Sequence, residues 1–267
     1  MKTSVVMIAP FSTRSGYGDH ARSLFYSIMD RVDLDLKCMD VKWGNTPRNH
    51  LRPDEVSRHK KLTDSFISGE ELQGKPIDVL IDIRIPNEFA TGAKVNIGIT
   101  AGVETDVVSP EFLDGMNRMN FNIVPSRFTA DTFNRCTYDR MEDLPNGEKR
   151  KAGVVKNEKP IKVLFEGVDT DIYYSKDKYQ TKKEDPILYG ELDELIKEDF
   201  AYLHVGQWGK GGFAEDRKNI GTLIKSFLKA FSNIPNPPAL VLKTNGANFS
   251  VLDRHDIRNK ILNVKGM

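Results

Sequence analysis

Short apolar runs rich in Val and Ile alternate along this chain with segments whose apolar residues recur at helical spacing, the pattern of βα units wound around a mostly parallel sheet. The runs predict strands at Ser4–Ala9, Leu34–Met39, Val79–Ile83, Val95–Thr100, Phe121–Val124, Ile161–Phe165, Phe200–Val205 and Ala239–Lys243. Six of them make one Rossmann-like domain, and the last two open another. Between strands, Asp19 is the expected N-cap of a helix whose stripe is Ala21, Leu24, Phe25 and Ile28. Ser126 precedes a shorter amphipathic turn with Phe128, Ala130 and Phe133. Ile220, Leu223, Ile224, Phe227 and Phe231 form a third stripe, which Pro235 and the Pro237-Pro238 pair end. The polar stretch Trp43–Lys61 reads as a surface excursion, and the charged stretch Tyr138–Lys159 as a loop or hairpin. The expected division is a first domain over 1–172, a linker over 173–198 and a second domain over 199–267.

Composition narrows the function classes. With 39 Lys plus Arg against 38 Asp plus Glu, the net charge of +1 gives no global attraction to nucleic acid or anionic membrane, so any polyanion site must be local. Cys38 and Cys136 belong to no Cys-x-x-Cys pair, and the histidines at 20, 50, 59, 204 and 255 lack paired metal spacing; no metal is expected. His20 reads as a surface or cleft-edge residue and His204 as a core histidine. The apolar run Ser4–Ala9 is too short for a signal sequence or a membrane span, and a reduced, cytoplasmic protein is expected.

Candidate chemistry gathers after strands. In Ser15-Gly16-Tyr17-Gly18-Asp19, glycines let backbone amides approach a ligand. The spacing Gly16-x-Gly18-x-x-Ala21, with Asp40 at the end of the second strand, also fits a dinucleotide fingerprint, so an NAD-dependent oxidoreductase is one reading. Against it, Pro10–Ser15 separates the first glycine from the strand. Thr100, Glu104 and Asp106 follow the fourth strand, where substrates of parallel sheets lie. Glu104 reads equally as a solvated loop residue or a helix cap. Ser126 in Val124-Pro125-Ser126-Arg127-Phe128 is first a cap. Leu203-His204-Val205-Gly206-Gln207-Trp208, then Arg217-Lys218-Asn219-Ile220, reads as a strand, a cationic loop and a helix start, together a phosphate or diphosphate site. The plain alternative is two surface charges at a helix start.

That last segment, together with Glu166-Gly167-Val168-Asp169-Thr170-Asp171 upstream, resembles the retaining GT-B glycosyltransferases. The resemblance implies two Rossmann-like, doubly wound α/β lobes, the second one partial, and metal-independent transfer of a sugar from a nucleoside-diphosphate donor to a hydroxyl acceptor on a glycan, lipid, protein or modified DNA base. It implies that Lys218 neutralises the diphosphate, that Ser15, Gly16, Tyr17, Gly18, Thr100, Gly206 and Gln207 line the substrates, and that Glu104 contacts the sugar or acceptor. Gln207 stands where the family carries arginine, a role Lys210 or Arg217 takes over. No histidine follows the fourth strand, and the family's later Glu-x7-Glu helix is not found, so a second chain completing the donor lobe is one expectation. A non-catalytic binding or assembly protein of the same ancestry is the other.

Overall fold

The computed structural model describes residues 2–51, 57–145, 147–170, 173–175, 184–209, 211, 213–246 and 251–266. The chain divides into two compact units, Met1–Val168 and Asp169–Met267.

The first unit is a mixed α/β layer structure around a six-stranded, all-parallel sheet. Its strands are β1 (Thr3–Ala9), β2 (Leu34–Asp40), β3 (Val79–Ile83), β4 (Val95–Ile99), β5 (Phe121–Val124) and β8 (Ile161–Val163), in the order β2-β1-β3-β4-β5-β8. Apolar alternation in β1 feeds both faces. Met7 and Ala9 pack with Ala21 and Phe25 of helix α1 (Gly16–Ile28), while Val6 and Ile8 pack with Leu80, Leu72 and Ile77 on the other side. Helices α4 (Pro110–Arg118) and α5 (Arg127–Arg135) bury Leu113, Met116 and Phe133 with Val124 of β5. Covering both faces is what lets the strands read as near-continuous apolar runs.

Sequence order and sheet order part company between β1 and β3. At such a switch point the connections leave in opposite directions and open a crevice at the carboxyl ends of the strands.

The structure moves several boundaries. Helix α1 starts at Gly16, three residues before Asp19; its cap is Ser15, whose hydroxyl accepts from the Gly18 amide at 3.1 Å. Asp19 instead pairs with Arg22 in the first turn. Ser126 caps α5 through the Thr129 amide at 3.1 Å. The 138–159 stretch is an antiparallel ribbon, β6 (Thr137–Asp143) with β7 (Lys149–Lys156), whose cross-strand charges pair as Arg150–Glu142 at 2.9 Å and Lys151–Asp139 at 2.6 Å. Opposite charges facing across the two strands explain why so polar a segment can form strands. The excursion after β2 carries the short helices α2 (Ser57–Asp64) and α3 (Gly69–Leu72).

The second unit holds α6 (Pro186–Leu195), β9 (Ala201–Gln207), α7 (Ile220–Phe231), β10 (Ala239–Asn245) and α8 (Val251–Lys265). β9 and β10 pair in parallel, with Gly206 opposite Thr244. One face packs on α7 and α8 through Leu240, Leu242, Ile220, Ile224 and Ile257. On the other, Leu203 and Val205 remain 67% and 61% exposed. No helix among the described residues is long and apolar enough to cross a membrane.

Candidate functional site

In the first unit, polar side chains converge at the carboxyl ends of β1, β2 and β4. Arg22, itself buried on α1, donates to the carbonyls of Phe11 and of Thr13, the latter at 2.9 Å, and so fixes the path of the loop after β1. Burial lowers the pKa of this guanidinium, which Asp19 partly counters. Gly18 sits where the helix meets that loop, and a Cβ there would lie 2.6 Å from the Thr13 carbonyl oxygen. Its amide is engaged by Ser15. A Cβ on Gly16 would meet nothing within 4 Å, and the amides of Gly16 and Tyr17 make no hydrogen bond among the described residues.

Asp40, at the end of β2, accepts from the Ser12 amide at 3.0 Å, from the Ser12 hydroxyl and from Arg48 at 2.6 Å. Its carboxylate, 8% exposed, is spent on tying the first loop to the segment after β2. A ribose hydroxyl would have to displace those partners, so the geometry gives the dinucleotide reading no support at this residue.

Tyr17 and Thr100 meet. The tyrosine hydroxyl lies 2.9 Å from Thr100 Oγ1 and accepts from the Ala101 amide at 3.1 Å, joining α1 to the end of β4. Burial pushes the Tyr17 pKa up, with the Thr100 and Ala101 bonds opposing, and Glu166 and Glu104 close enough to add to the rise. Trp43 covers the Tyr17 ring, centroids 4.4 Å apart. His20, one turn along α1 from Tyr17, places Nδ1 3.7 Å from Glu166 Oε1. Sequence reasoning passed over both Trp43 and the His20–Glu166 pair. The only signal for the second was the i, i+3 spacing of Tyr17 and His20, which puts them on one helix face. Glu104 and Asp106 lie exposed in the loop before α4, whose N-cap is Ser109.

In the second unit, the β9–α7 connection ends at the carboxyl edge of the strand pair. Asn219 is the N-cap of α7 in a left-handed conformation (φ 55°) and makes no side-chain cap. The buried Asp216 accepts from the Ile220 amide at 3.0 Å, whereas the next two amides, Gly221 and Thr222, have no hydrogen-bond partner among the described residues. Arg217 and Lys218 are exposed just before this helix start. Nearby, the Trp208 indole N–H, 2% exposed as a residue, has no hydrogen-bond partner among the described residues, and neither do Thr244 Oγ1 and Asn245 Oδ1 at the end of β10. Gln207 donates to the Gly246 carbonyl at 3.2 Å. A Cβ on Gly206 would stand 3.0 Å from His204 Nε2, so its lack of a side chain makes room for that ring. A further cation joins here from α8: Lys260 Nζ donates to the Gly209 carbonyl at 2.9 Å. Lys210 and Asp171 lie outside the described residues.

No protein-family model matches the chain, and no curated protein matches it.

Proposed function

We propose that this chain is a nucleotide-sugar-dependent glycosyltransferase of GT-B type, moving a sugar from a nucleoside diphosphate to a hydroxyl acceptor. The observation that carries the reading is the start of α7. Two backbone amides without partners among the described residues, those of Gly221 and Thr222, point out of a twelve-residue helix, beneath the positive end of its dipole, and Arg217 and Lys218 stand just before its N-cap Asn219. An anion bound at these amides would lie close to both cations. As a glycosidic bond to a diphosphate breaks, negative charge grows on the leaving oxygen, and fixed donors of this kind stabilise it without reorganising. The Trp208, Thr244 and Asn245 atoms at the same edge, without partners among the described residues, offer a donor and acceptors for the nucleoside part.

Calorimetric titration of the full chain with UDP, GDP and NAD tests the reading. A nucleoside diphosphate is expected to bind, and Lys218→Ala to weaken it by roughly 10- to 100-fold, the loss of one charge-assisted contact. Binding of NAD alone, or equal affinity in wild type and Lys218→Ala, overturns it.

A further inference from the structure

We propose that the amino end of the β9–β10 pair carries a separate binding site, an aromatic pocket for a small quaternary ammonium compound of the choline kind. The site lies wholly within the second unit. Phe200 directly precedes β9, Tyr202 is the second residue of that strand, and Phe231 is the last residue of α7. The start of α7, with its open amides, stands at the other end of the same strands, roughly 20 Å away along β9. Together with Pro235, Pro237 and Pro238, the three rings wall a cavity of about 600 Å³, the size of a small-molecule site.

The shape of the wall selects the ligand. Tyr202 stands between the other two rings: Phe200 meets it edge-on, centroids 5.1 Å apart and planes at 79°, and Phe231 lies 5.9 Å away at 38°. Rings in such different planes give no flat shelf for a nucleobase or a sugar ring. They suit a compact, rounded group whose methyls touch several rings at once. The walls are held from behind, since Phe227 packs on Phe231 at 4.8 Å and the Ala239 amide donates to the Phe200 carbonyl at 2.9 Å. Even so, Phe200 remains 60% exposed and Tyr202 48%.

The electrostatics select a cation. Among the described residues, Lys or Arg groups lie over the rings of Tyr26, Phe128, Phe213 and Trp208, but none lies over Phe200, Tyr202 or Phe231. The charged groups at the mouth are Lys197, Glu198 and Asp199. The Lys197 ammonium donates to the Asp193 carbonyl of α6 at 2.8 Å, and Glu198 accepts from the Lys197 amide at 3.1 Å. Asp199 makes no hydrogen bond or ion pair among the described residues. Two carboxylates against one engaged ammonium leave the mouth negative. A quaternary ammonium uses both features, because the ring faces and the carboxylates attract its charge while its methyl groups cover apolar surface. A primary ammonium is more strongly hydrated, and these rings cannot replace its water.

Calorimetric titration of the full chain with choline tests the proposal, set against its neutral carbon analogue in which a tert-butyl group replaces the trimethylammonium. Choline is expected to bind saturably and the analogue about 10-fold more weakly, the worth of the cation–π and carboxylate attraction. Phe200→Ala and Asp199→Asn, both at exposed positions, are each expected to weaken choline roughly 3- to 10-fold while melting like wild type. Lys218→Ala should leave choline binding as it is, which keeps this site distinguishable from the nucleotide site. Absence of saturable choline binding overturns the proposal, as does equal affinity for choline and the neutral analogue. Unchanged affinity in both Phe200→Ala and Asp199→Asn would also overturn it, by placing the cation elsewhere. Cosedimentation of the chain with phosphatidylcholine vesicles, blocked by choline, would assign the pocket to a membrane headgroup and overturn the free small molecule as its ligand.

Discussion

Replacing Gly18 by alanine separates a glycine kept for a ligand from one kept for packing. The added Cβ would sit 2.6 Å from the Thr13 carbonyl oxygen and 2.9 Å from both Thr13 Oγ1 and an Arg22 guanidinium nitrogen. The carbonyl cannot retreat cheaply, because it accepts from Arg22 at 2.9 Å inside the unit, and a buried bond to a charged donor is worth about 1.5–3 kcal/mol. Overpacking of this type costs roughly 1–3 kcal/mol, and alanine returns up to about 1 kcal/mol through its better helix propensity. The expected net loss is about 2 kcal/mol, or roughly 4–8 °C in the melting of a unit this size. Gly16→Ala is the internal control: its Cβ meets nothing within 4 Å and its backbone is helical, so it should be neutral or slightly stabilising. Thermal melts of both variants, followed by circular dichroism, check the pair. Equal melting temperatures for the two would refute the packing argument, and a Gly18→Ala chain as stable as wild type would refute the contact geometry itself.

Tyr17→Phe removes the hydroxyl shared by Thr100 and the Ala101 amide and should cost about 1 kcal/mol; combined with Thr100→Val, the double variant should lose less than the sum of the singles in a urea-melt cycle, and strict additivity would argue against the bond. Cys38 is fully buried, and burial pushes its thiol up to about 12, so a disulfide reagent at pH 8 should modify it only as fast as the chain unfolds. Peptide mapping that finds Cys38 labelled in the native protein within minutes would contradict this.

The parallel sheet was legible because strands buried on both faces must be apolar throughout, and β3 and β5 fall on the expected residues. Elements whose stability comes from partners were harder to see. The β6–β7 ribbon is held by cross-strand ion pairs, and α2 and α3 are short and polar, so no apolar period announces them. The start of α1 was placed late because Asp19 and Ser15 both suit a cap; the hydroxyl of Ser15 wins by reaching the Gly18 amide. Of the candidate site, the positions after β1, β4 and β9 could be named from the strand–loop–helix pattern. Their uses could not. Tyr17 and Thr100 stand 83 residues apart, and the engagement of Asp40 by Ser12 and Arg48 depends on loop paths that no local pattern encodes.

The loop after β1 is tied from every side. Arg22 holds the Phe11 and Thr13 carbonyls, Asp40 holds Ser12, the Thr13 hydroxyl returns to the Pro10 carbonyl, and the Ser12 carbonyl accepts from the His50 amide. It is therefore a wall, with no freedom to swing as a flap. A small molecule arriving at this edge would find its shape already set during folding and would have no loop entropy left to supply. Encounter there would be governed by diffusion and fit, with no waiting for a gate to open.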